Sequence, residues 1–270
     1  MKKEISKDIV NDTTLKKGYT YVITKYVRVF AKLTIEDDVN IFILNNEVTD
    51  TVGNGLNFLT SSELKAGEVN FFACDNNMEK INFAYNRGLN FYGSAGRNQY
   101  NAIPSKFVAK KLRLNYLGGF NAKTFKYDPV YIYGCNEDEW EVKALSSNNS
   151  GDEGIVISLS TITFDFISVK NPSTNGITMF NSILKINKGL KVINNNNFLF
   201  SLSFNQLLVE SPLCYIKLPV YTRVYLNGLW GSVAQNIKVV TKSLPTPTNA
   251  SAYYYNDCTK CGQTYIYPTV

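Results

Sequence analysis

The chain has 270 residues, of which 44 % are hydrophobic and only 19 % charged, with a net charge of +6 and no histidine. The missing histidine excludes Ser-His-Asp and Cys-His nucleophile systems, histidine general acid–base chemistry and histidine-bearing zinc or iron sites. Basic residues run at most in pairs, as at Lys16-Lys17 and Lys110-Lys111, so no nucleic-acid patch is expected.

The opening MKKEISKDIVNDTT carries charges but no apolar core, so no secretory signal is expected. No apolar run approaches the roughly 18 residues of a membrane span. Synthesis in a cytoplasm follows, with reduced thiols and with the sequons at Asn11, Asn148 and Asn249 unused. After the polar start, which ends at Gly18, residues 19–44 read as short strands: YTYVIT, VRVF, LTIE and VNIFIL. A Gly/Asn/Thr-rich passage over 45–65 reads as an excursion. EVNFFA, KINFAY, GLNFYG, KLRLNY, PVYIYG, WEVKAL, GIVISL, TITFDFISV, GITMF, ILKI, LKVI, FLFSLSF and QLLV follow, rich in β-branched and aromatic residues and separated by Asn, Gly or Ser. No stretch carries a helical stripe, so the expected class is all-β.

A pair of apolar residues recurs along these strands. Trp140, Ile162 and Leu184 are 22 apart, as are Val142, Phe164 and Ile186. Ile41/Ile43, Val69/Phe71, Leu89/Phe91 and Leu112/Leu114 extend the series backwards, and Leu207/Val209 extends it forwards. Repetition at this period marks a solenoid whose units bury their apolar faces on one another. The expected architecture is a single-domain right-handed parallel β-helix of about 22 residues per coil, with about three short strands in each. A two-sheet sandwich gives no reason for the recurrence. Gly154-Ile-Val-Ile…Ile162-Thr-Phe164…Ile167-Ser-Val169-Lys-Asn171 aligns with Gly176-Ile-Thr-Met…Leu184-Lys-Ile186…Leu190-Lys-Val192-Ile-Asn194, with Asn171 and Asn194 closing equivalent turns. Asparagine tolerates the left-handed conformation and bonds to a stacked counterpart, and this is the preferred reading of the 32 asparagines. The expected division is an N-terminal segment and cap over 1–44, β-helix coils over 45–242 and a C-terminal tail or cap over 243–270.

LTIEDDVNIFI, EVNFFACDNN, GLNFYGSAG, FVAKKLRLNYLGG, the SSNNSGDEGIVI…ISVKNPSTNGI run and the terminal TYIYP together resemble β-helix repeat proteins encoded by large DNA viruses of protists. Similar repeats occur in some bacterial surface proteins. The resemblance covers most of residues 19–270 and implies a virion-associated or surface structural role, with no catalytic residue carried over. It also implies location in a virion.

Carboxylates nevertheless claim attention, since a glycosidase needs two on one face, about 5 Å or 6.5–9.5 Å apart. Glu36/Asp37/Asp38, Glu137/Asp138/Glu139 and Asp152/Glu153 are the clusters. Asp138 or Glu139 would pair with Asp152 if both lay on one strand edge a coil apart, so Asp138, Glu139, Asp152 and Glu153 are the acid–base or glycan-binding candidates. The structural alternative is that these acids sit in turns. Cys258-Thr-Lys-Cys261 is a lone CxxC, and Cys74, Cys135 and Cys214 lie isolated in strands, where a buried thiol is the default. No metal site and no cofactor are expected. Among the 18 tyrosines, Tyr253, Tyr254, Tyr255, Tyr265 and Tyr267 are the interaction candidates. The expected function is a non-enzymatic structural or attachment protein that engages other virion or surface proteins or further copies of itself, with loop insertions near 45–65 and 120–130 giving specificity. The alternative is a glycan-binding or polysaccharide-degrading β-helix.

Overall fold

The computed structural model describes residues 1–45, 53–81, 86–94, 103–120, 126–173, 176–180 and 182–193, with strand segments at 202–203, 214–218, 223–227 and 237–241. Leu207/Val209 and Asn194 lie outside them. Among the described residues the chain is all-β, and its strands stack in parallel into three columns that the chain visits in turn.

The first column holds Thr13–Leu15, Lys32–Ile35, the opening halves of Glu63–Cys74 and Lys106–Asn115, Trp140–Val142, and the opening halves of Thr161–Lys170 and Ile183–Ile193, then Cys214–Leu218 and Ile237–Thr241. The second holds Lys2–Ile5, Thr20–Ile23, Val39–Leu44, the closing halves of the same long strands, Ala144–Asn148 and Arg223–Asn227. These two columns meet at a bend and form one sheet. The third column is a separate sheet: Tyr26–Val29, Gly55–Phe58, Gly88–Tyr92, Val130–Tyr133, Ile155–Ser158, Ile177–Phe180 and Leu202–Ser203. The one antiparallel ribbon among the described strands joins Gly119–Phe120 to Lys126–Tyr127.

Inward positions of the first two columns follow the alternation of a half-buried strand, whereas in the third Asn57, Asn90 and Val156 between the inward residues are buried as well. In the third column Val29, Phe58, Phe91, Ile132 and Ile157 lie over one another, each buried. In the first, Leu33, Leu64, Phe107 and Trp140 do the same, and in the second Val69, Leu112, Leu145 and Ile167. The rings meet in the middle: Phe58 and Phe91 are stacked at 5.0 Å, Phe91 meets Trp140 edge-on at 5.3 Å, and Trp140 meets Phe164 at 5.5 Å.

The two coils aligned in the sequence are in register as expected. Ile155 lies beside Ile177, Ile162 beside Leu184, Phe164 beside Ile186 and Val169 beside Val192. Asn171 adopts φ +49° and donates from Nδ2 to Asn149 Oδ1 at 3.0 Å, with Asn149 itself at φ +52°. The uniform 22-residue coil does not extend over the chain. Val69 pairs directly with Leu112, a step of one turn, so Leu89/Phe91 is not an intermediate member of that series but lies in the third column. Likewise Ile41 pairs with Phe71 and Val39 with Val69. Turns differ in length because their corners carry different loops, while a hydrogen-bonded neighbour is required only along the strands. The opening 44 residues supply strands to the same columns, with Lys2–Ile5 at the end of the sheet order.

Gly88 marks a corner where successive turns come close. It has φ +66°, and a Cβ there would run into the Pro129 carbonyl of the next turn. Gly88→Ala is expected to cost about 1–3 kcal/mol through overpacking and backbone strain. Phe91→Ala removes the centre of the aromatic cluster and should cost about 3–5 kcal/mol. Both are measured as shifts of the urea midpoint at unchanged far-UV circular dichroism.

Candidate functional site

The sequence-derived carboxylates fall into separate corners. Glu139 stands where the third column hands over to the first, and it is fully buried. Its Oε1 accepts the N–H groups of Ser94 at 3.0 Å and Ser105 at 2.9 Å, and its Oε2 accepts that of Asn136 at 3.1 Å. One carboxylate thereby satisfies donors from three loop segments, which is a structural use of charge. Asp138 next to it is exposed, and its N–H donates to Asn136 Oδ1 at 3.0 Å, an Asx turn. Asp152 is buried at the opposite corner, just ahead of Ile155–Ser158, with its carbonyl accepting from Ser150 Oγ and from the Ser173 N–H. Glu153 beside it is half-buried. The span of a four-residue third-column strand, roughly 13 Å, separates the two corners. Glu139 and Asp152 therefore stand at corners at opposite ends of the third column.

The cluster at Glu36/Asp37/Asp38 lies on the bend between the first two columns, where charges face each other from turn to turn. Asp37 accepts from Lys110 Nζ at 2.8 Å and, through Oδ1, from the Glu68 N–H at 2.8 Å, and Asp38 pairs with Lys17 at 2.7 Å. Gly67 makes this possible, since a Cβ there would collide with the Asp37 carboxylate. Further along the bend Arg113 pairs with Glu68, and Asp165 accepts from Lys188 Nζ at 2.8 Å and Asn187 Nδ2 at 3.3 Å. Strand register shifts by one residue there, between Phe164 and Phe166.

The bonded lysines Lys110 and Lys188 hold the Asp37 and Asp165 carboxyls below the ordinary 3.8, and Arg28 does the same for Asp8. A carboxyl whose folded value is depressed stabilises the fold fully above its unfolded value and loses that contribution as pH falls through the folded one. Stability should therefore hold above about pH 4 and decline below it. In Asp165→Asn the melting temperature should fall less steeply between pH 4 and pH 2 than in the unsubstituted chain. Glu139→Gln leaves buried N–H groups facing an amide, and should cost about 3 kcal/mol in urea unfolding.

The corner that holds Glu139 is also tied by hydroxyls. Ser105 Oγ accepts the Ser61 N–H at 2.9 Å, Ser160 Oγ that of Cys135 at 3.1 Å, and Ser182 Oγ that of Ser160 at 3.1 Å. The sequence signal is a serine two residues ahead of four first-column core residues: Ser62/Leu64, Ser105/Phe107, Ser160/Ile162 and Ser182/Leu184. The cysteines at 74 and 135 are free and buried. Burial pushes the Cys74 thiol up to about 11 and the Cys135 thiol up as well, so neither is a nucleophile at neutral pH. Among the described residues no group of three potential ligands gathers in a metal-binding arrangement, and no helix is long and apolar enough to cross a membrane. Tyr253, Tyr254, Tyr255, Tyr265, Tyr267, Cys258 and Cys261 lie outside the described residues.

The surface feature that sequence reading missed is a row on the outer side of the third column. The residue after each inward Ile9, Val29, Phe58, Phe91 and Ile132 points outward, which lines up Val10, Phe30, Leu59, Tyr92 and Tyr133. Val10 is 62 % and Phe30 46 % exposed, and the other three are half-buried. Tyr131, in the adjacent row, completes a cluster of phenol rings: Tyr92, Tyr131 and Tyr133 have all three centroid separations at 6.1 Å. Partial burial raises the Tyr92 and Tyr131 hydroxyls above their ordinary value, so both phenols are neutral donors. Ile103 and Leu159, also exposed, flank the row at the turn that follows it. Periodicity alone does not reveal it, because these residues align only once the unequal turns are placed in register.

Comparison with protein-family models, with curated proteins and with solved structures finds no match to this chain.

Proposed function

We propose that the chain is a non-enzymatic structural or attachment protein, a right-handed parallel β-helical rod that engages other components of a particle or cell surface. Parallel strands joined by crossovers wind right-handedly in about 98 % of cases, which supports that hand. The observation that carries the functional reading is the employment of Glu139, whose two carboxylate oxygens are taken up by backbone N–H groups of three loop segments. Its place at the opposite end of the third column from Asp152 speaks against a glycosidase pair. The exposed acids of the bend are occupied with lysines and arginines of neighbouring turns. The resemblance to β-helix proteins of large DNA viruses supports a virion as the particle and its other surface proteins as partners. A capping role for 243–270 belongs to the same reading.

Quantitative mass spectrometry of purified particles and of soluble cell fractions tests it. The chain should be enriched in the particles at a fixed ratio to their major surface proteins. Incubation with soluble polysaccharides should release no new reducing ends. Release of reducing ends that Glu153→Gln or Asp138→Asn abolishes would overturn the non-enzymatic reading, and confinement to the soluble fraction would overturn the attachment one.

A further inference from the structure

We infer that the aromatic row of the third column is a binding strip for a neutral, linear glycan whose chain runs parallel to the rod. The inference rests on the attachment reading and names the chemistry of what is attached.

Four features lead to this ligand. Consecutive positions of the row, from Val10 through Phe30, Leu59 and Tyr92 to Tyr133, belong to successive turns and are about 4.8 Å apart. That step is close to the length of one sugar ring, so successive sugars of a linear chain meet successive side chains of the row, aliphatic at Val10 and Leu59 and aromatic at Phe30, Tyr92 and Tyr133. The platform is amphipathic where it is widest: Tyr92, Tyr131 and Tyr133 offer ring faces for the C–H surfaces of a sugar and neutral hydroxyls for its oxygens.

The row is also narrow. Five positions span roughly 19 Å at one residue's width, with Ile103 and Leu159 as a partial rim. A globular protein partner needs about 800 Å² on each side, which this strip does not offer, whereas an extended chain does not. Finally, the row carries no ionised group. Beside Phe30, Arg28 already has its guanidinium on Asp8, with Nε 2.9 Å and Nη2 2.6 Å from Oδ2, and lies 5.6 Å from the ring, while Arg87, the cation felt by Tyr92, is offset by Asp128, the anion felt by Tyr131. Attraction for a uronate or sulfated polymer is thereby cancelled, and a neutral glycan is selected.

Isothermal titration of the full chain with cello-, manno- and xylo-oligosaccharides of two to six residues, beside an acidic oligogalacturonate, tests the proposal. At least one neutral series should bind, with affinity rising with length up to the span of the row. Tyr131→Ala and Tyr133→Ala should each weaken binding about tenfold, as for a stacked anchor residue. Tyr133→Phe keeps the ring and guards against a folding artefact, and it should retain most of the affinity. Lys65→Ala, on the first column's outer face, should change nothing. Absence of binding by every neutral series, binding of the acidic oligomer alone, or Ala variants that bind like the parent chain would each overturn the strip. Loss of a dimer or of a protein complex in Tyr131→Ala, without loss of glycan, would assign the row to a protein interface and overturn it too. Failure of this titration leaves the particle-enrichment result standing, and breakdown of a bound oligosaccharide would sink the non-enzymatic reading while sparing the strip.

Discussion

Each strand of this molecule depends on the strands one turn before and one turn after it. A parallel strand satisfies its backbone groups only through neighbours about 4.8 Å away on either side. Equivalent residues of successive turns are thereby forced into contact, and the rest of the structure adjusts to that constraint. Inside, like lies over like: Phe58 on Phe91, Leu112 on Leu145, Ile162 on Leu184. At the corners the same constraint selects residues that tolerate a close copy of themselves or bond to it, which is why Asn149 and Asn171 are linked and why serine hydroxyls receive the N–H groups of adjoining turns.

Charge is arranged by the same rule. Like charges stacked at this spacing repel, and the bend between the first two columns avoids this by placing acids opposite bases one or two turns away: Asp38 with Lys17, Asp37 with Lys110, Asp165 with Lys188. Each exposed pair contributes little by itself. Their joint effect is to keep a stacked surface free of uncompensated charge. Glu139 is a different case. Buried and held by N–H groups from three loop segments, it closes a corner where the turn from Gly88–Tyr92 to Lys106–Asn115 is long and its loop ends need an anchor.

The sequence made the all-β class and the parallel stacking legible because apolar pairs recur where turns are of equal length. The two coils aligned from Gly154 and Gly176 show this most clearly, being in register but for a one-residue shift after Phe164. Asn171 in a left-handed turn and the buried thiols of Cys74 and Cys135 follow from residue chemistry in the same way. Elsewhere the expected even period misled. Leu89/Phe91 has the spacing of the neighbouring pairs but belongs to another column, because a strand of the third column resembles one of the second in composition. The carboxylate candidates were visible as residues, yet their separation into different corners was not, since corner loops of unequal length break the relation between sequence distance and position along the rod.

By itself, then, the sequence determined the local chemistry: which segments extend, which residues seek the interior, and which turn residues accept a positive φ. These are short-range preferences, set by side-chain shape and backbone sterics. Only the tertiary structure decided which turn lies on which, because the hydrogen-bonded register between strands 18 to 43 residues apart depends on every loop between them. That register gathers Phe30, Tyr92 and Tyr133 from distant positions into one partly exposed row, and it buries Glu139 against both ends of the connection from Tyr92 to Lys106.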